Sequence, residues 1–428
     1  MRYIADLHIH SRFSRATSNK LNLSNLEKYA KIKGVDLLGT GDFMHPKWQE
    51  ELKQELKDDG AGIYRTKSGF PFILSNEISL IYKQDGKGRR VHIVLLAPNM
   101  EVVDKITAYF KSIGRIDYDG RPIFGKSAIE VTKTLKQISD DIEIIPAHIW
   151  TPWFGLLGSK SGFNSFEEAF GDQVKHIYSY ETGLSSDPEM CWRISSMDKF
   201  TLLSFSDLHS FWPWRIGREA TIFDLQHLTY KDLIKAIRTR EGYAGTIEVD
   251  PAYGKYHWDG HRNCGVVLSP DETRKCNGIC PKCGKPLIVG VEYRVEELAD
   301  RPQGYRPIGA KPFHKLIPLS ELISSVNKVG VATQKTWKIY NKLLEKFGSE
   351  YNILLNVKQE ELAQVCDKQL AAFIIKNRSG DIKVKPGYDG VYGEAIFDDT
   401  KELETNKQDK KLDESNGFTK PQKSLVDF

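Results

Sequence analysis

The chain has 428 residues, of which 40% are hydrophobic and 28% charged, and its formal net charge is +4. This length is enough for two or three domains, and the composition is ordinary for a globular protein in water. No apolar run reaches the ~20 residues that span a bilayer, and no signal peptide precedes the first strand pattern. We therefore expect a cytoplasmic protein without a membrane partner, while the small charge alone does not identify a nucleic-acid partner.

Strand and helix patterns alternate from residue 1 to about residue 245. The first strand pattern covers Tyr3 to His10. Ser24, with Glu27 three residues later, predicts a capping box at the start of a helix that ends at Gly34. Repeated alternation of this kind is typical of a parallel sheet or barrel. We therefore expect an α/β fold, a β/α barrel, in this part of the chain.

Two histidines, His8 and His10, stand at the end of the first apolar run. Residues two apart in a strand point to the same side, so the two imidazoles lie together, and Asp6 is a carboxylate near enough to orient one of them. Two histidines that simply sit in a strand are the alternative. The metal site is favoured because loops at the carboxyl ends of parallel strands converge, and further ligand-type residues stand at strand ends. They are Asp42, Glu77, His92, His148, Asp207 and His209.

Four segments, at residues 6–11, 76–77, 147–148 and 206–209, resemble the motif regions of the polymerase-and-histidinol-phosphatase (PHP) family. The resemblance covers roughly the first 245 residues. It implies a distorted β/α barrel that holds two or three divalent metals (Zn²⁺, Mg²⁺ or Mn²⁺) and hydrolyses phosphoesters. It also implies a ligand set that consists of His8, His10, Glu77, His92, His148, Asp207 and His209.

Two positions depart from the family pattern. The family usually has an acidic residue five positions after the second histidine, where this chain has Arg15. Its second motif usually reads Thr-Asp-His, where this chain has Thr-Gly-Asp42, so we expect Asp42 to replace that histidine as an oxygen ligand, with His45 as the alternative. The number of metals is therefore open. The predicted catalytic residues, which hold the metals that activate water and clamp the phosphate, are Asp207, His10 and Glu77.

Four cysteines cluster within twenty residues and predict a structural zinc site. A Cys-x-x-Cys pair followed by Gly284 is typical of a zinc knuckle, and two further thiolates complete a closed tetrahedral set without a position for substrate. Unpaired core cysteines are one alternative, and His257 and His261 are nearby alternative ligands. The predicted ligands are Cys264, Cys276, Cys280 and Cys283.

After Pro302 the pattern becomes helical, at residues 312–329, 333–347 and 359–376. The short hairpin at 329–331 has free backbone amides that can hold a DNA phosphate, although a helical bundle without DNA contact fits the pattern equally well. We therefore predict four parts: a PHP-type barrel at 1–245, a zinc module at 246–300, a helical DNA-binding domain at 301–398 and a tail at 399–428.

This order of parts, with local runs such as residues 39–42, 204–209 and 383–392, resembles the endonuclease Q family of DNA repair nucleases over residues 1 to about 398. The resemblance implies cleavage of the phosphodiester 5′ of uracil, hypoxanthine, xanthine or an abasic site. A nuclease that inspects a base takes it out of the stack into a pocket with apolar walls. The candidate wall and phosphate-binding residues, for which loop packing is the alternative, are Trp150, Trp153, Phe211, Trp212, Trp214 and Arg215.

The tail is polar and without periodicity from about residue 399 to 420, which predicts a disordered linker. The chain ends with Gln422, Leu425 and Phe428, a spacing that resembles the peptide that docks on the sliding clamp PCNA. One helical turn brings the last two side chains onto one face. We therefore expect PCNA as a partner, which indicates a prokaryotic, archaeal source and a nucleoid-associated protein.

Two other functions are compatible with the barrel pattern. A small-molecule phosphatase gives no role to the zinc module, the helical segment or the terminal peptide. A catalytically dead recruitment protein that binds DNA is favoured by Arg15 and Gly41, but the retained ligand-type residues oppose it.

Overall fold

In this computed structural model, residues 1–396 are described. The strands are β1 Arg2–Asp6, β2 Leu37–Gly39, β3 Lys57–Asp58, β4 Tyr64–Arg65, β5 Pro71–Gln84, β6 Lys87–Ala97, β7 Ile123–Phe124, β8 Glu143–Pro146, β9 Ser179–Glu181, β10 Thr201–Leu203, β11 Ala220–Asp224, β12 Tyr243–Glu248, β13 Asp259–His261, β14 Val266–Leu268, β15 Phe313–Lys315, β16 Lys383–Lys385 and β17 Glu394–Ile396.

The α-helices are α1 Leu23–Lys33, α2 Pro46–Glu55, α3 Met100–Ile113, α4 Ala128–Ile138, α5 Phe166–Phe170, α6 Pro188–Cys191, α7 Tyr230–Thr239, α8 Pro270–Lys275, α9 Val291–Leu298, α10 Leu319–Asn327, α11 Gln334–Phe347, α12 Glu350–Leu355, α13 Gln359–Leu362 and α14 Lys368–Ser379. No helix within residues 1–396 is long and apolar enough to cross a bilayer.

The strands of the first half close into a distorted barrel. Strands β1, β2 and β5 are parallel, β6 returns antiparallel to β5, and β8 pairs antiparallel with β6. The parallel pair β9 and β10 completes the ring, because Ile149 N donates to Glu181 O at 3.1 Å and Asp207 N donates to His8 O at 3.0 Å. The predicted fold class, an α/β barrel followed by a zinc module and C-terminal helices, is confirmed.

Apolar side chains from the barrel strands fill its interior. Strands β11 and β12 extend the sheet beyond β1, and helix α7 packs below the barrel strands with Leu233 and Ile237 in the same cluster. Burial of such side chains stabilises the barrel by about 25 cal/mol per Å² of apolar area. The strand residues of this cluster include Ala5, Leu7, Leu37, Ile73, Val94, Ile145 and Leu203.

Helix α1 has a capping residue at each end, but its N-terminal cap is not the predicted Ser24. The side chain of Asn22 accepts a hydrogen bond from Asn25 N at 2.9 Å, and Gly34 ends the helix at φ 95°. The predicted capping box of Ser24 and Glu27 is wrong, because Glu27 instead pairs with a lysine one turn later. Starting the helix two residues earlier brings Leu23 into the buried face.

The C-terminal helical segment is shorter and more divided than its pattern suggests. Residues 313–315 form β15, which pairs in parallel with β12, so the predicted helix at 312–329 begins only at Leu319. The predicted helix at 359–376 is two helices, α13 and α14, and the side chain of Asp367 caps the second. Helix α12 was not predicted.

A buried ion pair fixes this helical segment on the barrel. Lys33 Nζ, at the end of α1, donates to Glu350 Oε1 at 2.6 Å and to Pro213 O at 2.8 Å. Glu350 also accepts from Tyr340 Oη at 2.7 Å and from Leu319 N at 3.0 Å. The carboxylate is therefore fully satisfied although it is completely buried, and it joins three helices of the C-terminal segment to the barrel.

Candidate metal-dependent active site

One group of ligand-type atoms lies where the barrel strands end. Side-chain atoms of His8, His10, Glu77 and Asp207 lie within 4.8 Å of one another. His8 and His10 follow β1, Asp207 follows β10, and Glu77 lies within β5. His10 Nε2 is 3.1 Å from Asp207 Oδ1 and 3.2 Å from Glu77 Oε2. Four predicted ligands therefore meet at one point.

A second group shares Glu77 with the first. Glu77 Oε1 lies 2.7 Å from His92 Nδ1 and 3.2 Å from His148 Nε2, and these three residues form the second set of close ligand atoms. Glu77 Oε2 faces the first group, so the two oxygens of one carboxylate point to different groups. This arrangement suits a carboxylate that bridges two cations.

Three residues at the site have left-handed backbone conformations that non-glycine residues rarely adopt. The φ angles are 47° for Asp42, 29° for His148 and 47° for Asp207. Such conformations cost about 1–3 kcal/mol each, and they persist where the surrounding structure enforces them, often at functional sites. The strained residues lie in the short segments that follow β2, β8 and β10.

Two carboxylates outside the groups orient the first two histidines. Glu181 Oε2 is 2.9 Å from His8 Nδ1 and also accepts from His148 N at 2.8 Å. Asp42 Oδ1 is 3.1 Å from His10 Nδ1. If each Nδ1–H donates to its carboxylate, each Nε2 lone pair faces the ligand group, as metal-binding imidazoles require. Glu181 was not among the predicted residues, although it ends strand β9.

Asp42 and Asp6 make different contacts from those that the sequence suggested. The structure places Asp42 outside both ligand groups, because Ser11 N and Ser11 Oγ, each at 2.6 Å, and Ser14 Oγ at 2.9 Å hold its Oδ2 away from them. Asp6 accepts from the backbone N–H groups of residues 206 and 217, each at 3.0 Å, and orients no histidine. It stabilises the segment that carries Asp207.

His209 lies beside the first group without belonging to it. Its Nδ1 is 3.0 Å from the Asp207 carbonyl oxygen, and its ring centroid is 4.7 Å from that of His10. The side chain is 33% exposed, more than any member of the two groups. The predicted ligand is therefore at the rim, on the side that faces solvent.

The pKa values reflect a concentration of buried negative charge. Burial alone raises the pKa of Glu77 and Asp207, but the neighbouring histidines, with Arg121 for Glu77, outweigh it and hold both well below their usual range. Burial lowers the pKa of His8, yet the carboxylates around it raise it well above normal. Burial prevails at His92 and lowers its pKa to about 4, so this ring is neutral at pH 7.

The residues present fit divalent metals. His8 Nε2 is buried and has no hydrogen-bond partner in the described part of the chain, although it points toward Glu77 and Asp207. A buried imidazole nitrogen without a hydrogen-bond partner costs free energy unless its lone pair binds a cation. Mixed imidazole and carboxylate ligands suit zinc, manganese or iron, and they do not distinguish between these metals.

The group of close ligand-type atoms in the zinc module differs from the predicted set by one residue. Atoms of His261, Cys264, Cys280 and Cys283 lie within 4.8 Å of one another, whereas Cys276 is outside this group and donates to a backbone carbonyl at 3.3 Å. The sequence held the signal: His-x-x-Cys-Gly at 261–265 repeats the spacing of Cys-x-x-Cys-Gly at 280–284. Two such knuckles facing each other form a tetrahedral set.

The local electrostatics of this module favour a thiolate. Burial raises the pKa of the Cys280 thiol, but hydrogen bonds from the backbone N–H groups of Lys282 and Cys283 outweigh it and lower the pKa to about 6. Zinc binds the thiolate and not the thiol. The backbone N–H groups of the knuckle therefore favour the thiolate form of Cys280, the form that binds zinc, at neutral pH.

The aromatic residues that follow His148 divide into core and surface. Trp150 is completely buried and donates from Nε1 to Cys191 Sγ at 3.4 Å, so it is a core residue. Trp153 is partly exposed and its ring meets Tyr256 of the zinc module edge to face at 5.6 Å. It lines a groove of about 520 Å³ that also includes the exposed side chains of Arg90 and Lys160.

The second aromatic cluster packs the barrel against the C-terminal helices. Phe211 is 5% exposed and lies 5.0 Å from the ring of Tyr29 on α1. Trp212 and Trp214 stack in parallel at 5.4 Å, and both contact Trp337 of α11 at 5.6 and 6.0 Å. These contacts support the packing alternative for these three residues.

Two further predictions complete the comparison of site residues. Arg215 is partly exposed, and its backbone N–H donates to Trp212 O at 2.7 Å within the same aromatic segment. Gln422, Leu425 and Phe428 lie outside the described residues.

Sequence relatives cover different shares of the chain. A family profile described as the MJ0043 C-terminal domain matches residues 318–381. The chain is 31% identical over 294 residues to the uncharacterized protein MJ0043 of Methanocaldococcus jannaschii, which covers 67% of this chain and 35% of MJ0043. It is 29% identical over 408 residues to the uncharacterized protein YqxK of Bacillus subtilis, which covers 91% of this chain and 98% of YqxK. The chain thus spans about a third of MJ0043 and nearly all of YqxK.

Two solved structures match nearly the whole chain. The first is the lesion-specific endonuclease PfuEndoQ from Pyrococcus furiosus, at 32% identity and TM-score 0.83, over 92% of this chain and 95% of that one. The second is endonuclease Q in complex with a 27-mer duplex substrate with an abasic lesion at the active site, at 32% identity and TM-score 0.84, over 94% and 98%.

With the barrel and its paired ligand groups, these matches define a metal-dependent endonuclease. The agreement in fold extends through the zinc module and the C-terminal helices. The chain belongs to the endonuclease Q family.

Proposed function

We propose that this protein is a DNA repair endonuclease that hydrolyses the phosphodiester 5′ of a deaminated base (uracil, hypoxanthine or xanthine) or an abasic site. The observation that carries this proposal is Glu77, whose two oxygens face two separate groups of imidazole and carboxylate ligands. Membership of the endonuclease Q family supports DNA with a lesion as the substrate, since one member is solved with an abasic duplex.

In this proposal, two divalent metals would lie on either side of Glu77. His8, His10 and Asp207 would hold one, and His92 and His148 the other. Bound metals supply a lowered pKa for water and neutralise charge on the non-bridging phosphate oxygens. The protein's own residues fix the geometry, and Asp207, whose side chain is 28% exposed while Glu77 is buried, faces the substrate side.

The orienting carboxylates give this site its rigidity. Glu181 holds His8 through Nδ1 and His148 through its backbone N–H, so one side chain positions a residue from each group. The Asp42 carboxylate does the same for His10 while three hydrogen bonds from the serines at 11 and 14 fix it in turn. Ligands held in this way keep their lone pairs aimed at one point, which favours the transition-state geometry.

The C-terminal helices supply a basic face for the DNA backbone. Four exposed lysines recur at helical spacing along α11, on the side away from its buried residues. Phosphate contacts by such lysines make binding salt-dependent, with a slope of about 0.9 per contact in a plot of log affinity against log salt. Replacing all four by glutamine is expected to flatten the slope without changing lesion preference. These lysines are Lys335, Lys338, Lys342 and Lys346.

The groove at Trp153 is the best remaining candidate for the lesion base. Phe154 packs on the ring of His92 at 4.4 Å, and the guanidinium of Arg90 lies 5.8 Å from the Phe154 ring, so the groove adjoins the second ligand group. A partly exposed tryptophan offers a stacking face to an unpaired base. Trp153→Ala is expected to reduce the preference for lesions over undamaged duplex.

The proposal includes two further partners, a structural zinc ion and the sliding clamp. His261, Cys264, Cys280 and Cys283 would bind a structural zinc that holds the module against the barrel. The terminal peptide at 422–428 would bind PCNA, which places the enzyme on replicated DNA. Loss of clamp binding in a chain that ends at residue 420, with nicking unchanged, is the expected result.

The deciding experiment uses a labelled duplex with one deoxyuridine, deoxyinosine or abasic site, incubated with the protein and Mg²⁺ or Mn²⁺. A single nick 5′ of the lesion is expected, with a 3′-hydroxyl that a polymerase can extend. Asp207→Ala removes the activity, and Asp224→Ala, a carboxylate at the opposite end of the barrel, retains it. Hydrolysis of p-nitrophenyl phosphate without nicking would indicate a small-molecule phosphatase, and DNA binding without either activity a recruitment protein.

A further inference from the structure

A loop that joins α3 to β7 carries an arginine to the shared carboxylate of the active site. Arg121 NH1 donates to Glu77 Oε2 at 3.1 Å, although no motif in the sequence marks this arginine. The loop covers residues 114–122, between the end of α3 and the start of β7. The contact places a permanent positive charge beside both ligand groups, since Glu77 belongs to both.

The loop backbone is held firmly at the point where it meets the site. Asp119 Oδ1 accepts from Arg121 N at 3.1 Å and from Arg15 N at 3.2 Å, and Asp119 is 5% exposed. Gly120 N donates to Phe13 O at 3.0 Å. A Cβ atom at Gly120 would lie 2.2 Å from Asp42 Cγ, so only glycine allows this approach. These hydrogen bonds and the close packing of Gly120 therefore fix the position of Arg121.

The guanidinium keeps most of its hydrogen-bonding capacity free. A guanidinium has five N–H donors, and within residues 1–396 the structure records one hydrogen bond from this group, the bond to Glu77. The Arg121 side chain is 26% exposed while Glu77 is fully buried, so the free donors face the open side of the site. Arg15, which is 71% exposed, lies 3.5 Å from Asp119 Oδ2 and balances the charge of this loop carboxylate, so Asp119 does not offset the charge of Arg121 alone.

We propose that Arg121 is a substrate-binding residue that contacts the non-bridging oxygens of the phosphate to be cleaved. Arg121 now balances the negative charge of Glu77. Cations bound by Glu77 would neutralise this charge instead, so the planar guanidinium would be free to bind a second anion. Its fork matches two phosphate oxygens, which a lysine cannot match. Negative charge on these oxygens increases in the transition state, so the contact strengthens there. This inference rests on the proposed nuclease function.

The test compares Arg121→Ala and Arg121→Lys with the wild type on the lesion duplex. Loss of one donor to a developing oxyanion typically reduces the rate by about 10²–10³-fold, which we expect for alanine, with a smaller loss for lysine. Arg2→Ala is the matched control, because Arg2 pairs with Asp224 at the other end of β1. Added guanidinium ion is expected to restore part of the activity of the alanine variant only.

A binding measurement separates this role from a structural one. The duplex carries either the normal phosphate or a neutral methylphosphonate at the cleavage position, with Ca²⁺ as the divalent ion. Wild type is expected to bind the methylphosphonate about tenfold more weakly than the normal phosphate, because one charged hydrogen bond is lost. Arg121→Ala is expected to show a clearly smaller penalty, since only the contribution of the divalent ions remains in this variant.

Three results would overturn the inference: cleavage by Arg121→Ala within threefold of wild type, loss of bound metal together with activity, or an unchanged methylphosphonate penalty in the variant. If wild type nicks no lesion duplex, the proposed nuclease function fails, whereas the binding arm still decides whether Arg121 contacts a phosphate.

Discussion

Glu181 offers the most direct test of how the active site is organised. It is completely buried, and its oxygens lie 3.0 and 2.9 Å from His8 Nδ1, while Oε2 also accepts from His148 N at 2.8 Å. Glu181→Ala removes the acceptor that holds the His8 ring and its tautomer. Loss of such a partner typically weakens metal binding by about 10–100-fold, or about 1.4–2.8 kcal/mol.

The assay is competition for metal against a coloured chelator, followed by the nicking rate as a function of metal concentration. Glu181→Gln keeps an acceptor but loses the charge, so its loss of affinity is expected to be smaller than that of alanine. Glu189→Ala is the control, because this carboxylate is 55% exposed and pairs with Lys315 away from the site. Wild-type metal affinity in a folded Glu181→Ala protein would refute the orienting role.

Three further predictions concern the zinc module, the contact between the C-terminal helices and the barrel, and Glu248, a buried carboxylate at the end of β12. His261→Ala is expected to lose the structural zinc and Cys276→Ala to retain it, as measured by metal analysis after gel filtration. Loss of zinc from Cys276→Ala but not from His261→Ala would instead support the predicted set of four cysteine ligands. Lys33→Met leaves the buried Glu350 carboxylate without its ion-pair partner and is expected to destabilise the protein by about 3–5 kcal/mol in urea unfolding, unlike the exposed Lys53→Met. Burial raises the pKa of Glu248 from 4.5 to about 8, so the folded state binds the proton more tightly and wild-type stability falls as pH rises through this window. The melting temperature of Glu248→Gln relative to that of wild type is therefore expected to rise from pH 5 to pH 8. A difference in melting temperature that stays constant over this range would contradict the prediction.

The strand-end rule predicted most of the site because it follows from barrel geometry. His8, His10 and His148 were found since each directly follows an apolar run, and the backbone there leads into the barrel mouth. The same rule could have found Glu181, which ends β9. It did not predict that Asp42 lies outside both ligand groups, because side-chain direction after a strand depends on local hydrogen bonds that spacing does not encode.

Other contacts were beyond any sequence pattern. Arg121 reaches Glu77 only because Gly120 packs against Asp42, a contact between segments about eighty residues apart. The role of Trp212 in packing likewise depends on α11, over a hundred residues later in the chain. Long-range approach of this kind is set by the tertiary fold, so residue type and local periodicity could not predict it.

The antiparallel hairpin in the barrel explains why the site has two ligand groups. A purely parallel barrel places functional residues at the carboxyl ends of its strands, which yields one ring of ligands. Here β5 runs on past the ring and β6 returns beside it, with Glu77 opposite Val94 and Ser79 opposite His92. Glu77 and His92 are thus diagonal neighbours on one face of the hairpin, close enough for side-chain contact. The hairpin therefore brings two strand-internal residues into the barrel mouth, and the second group exists because the parallel order is broken.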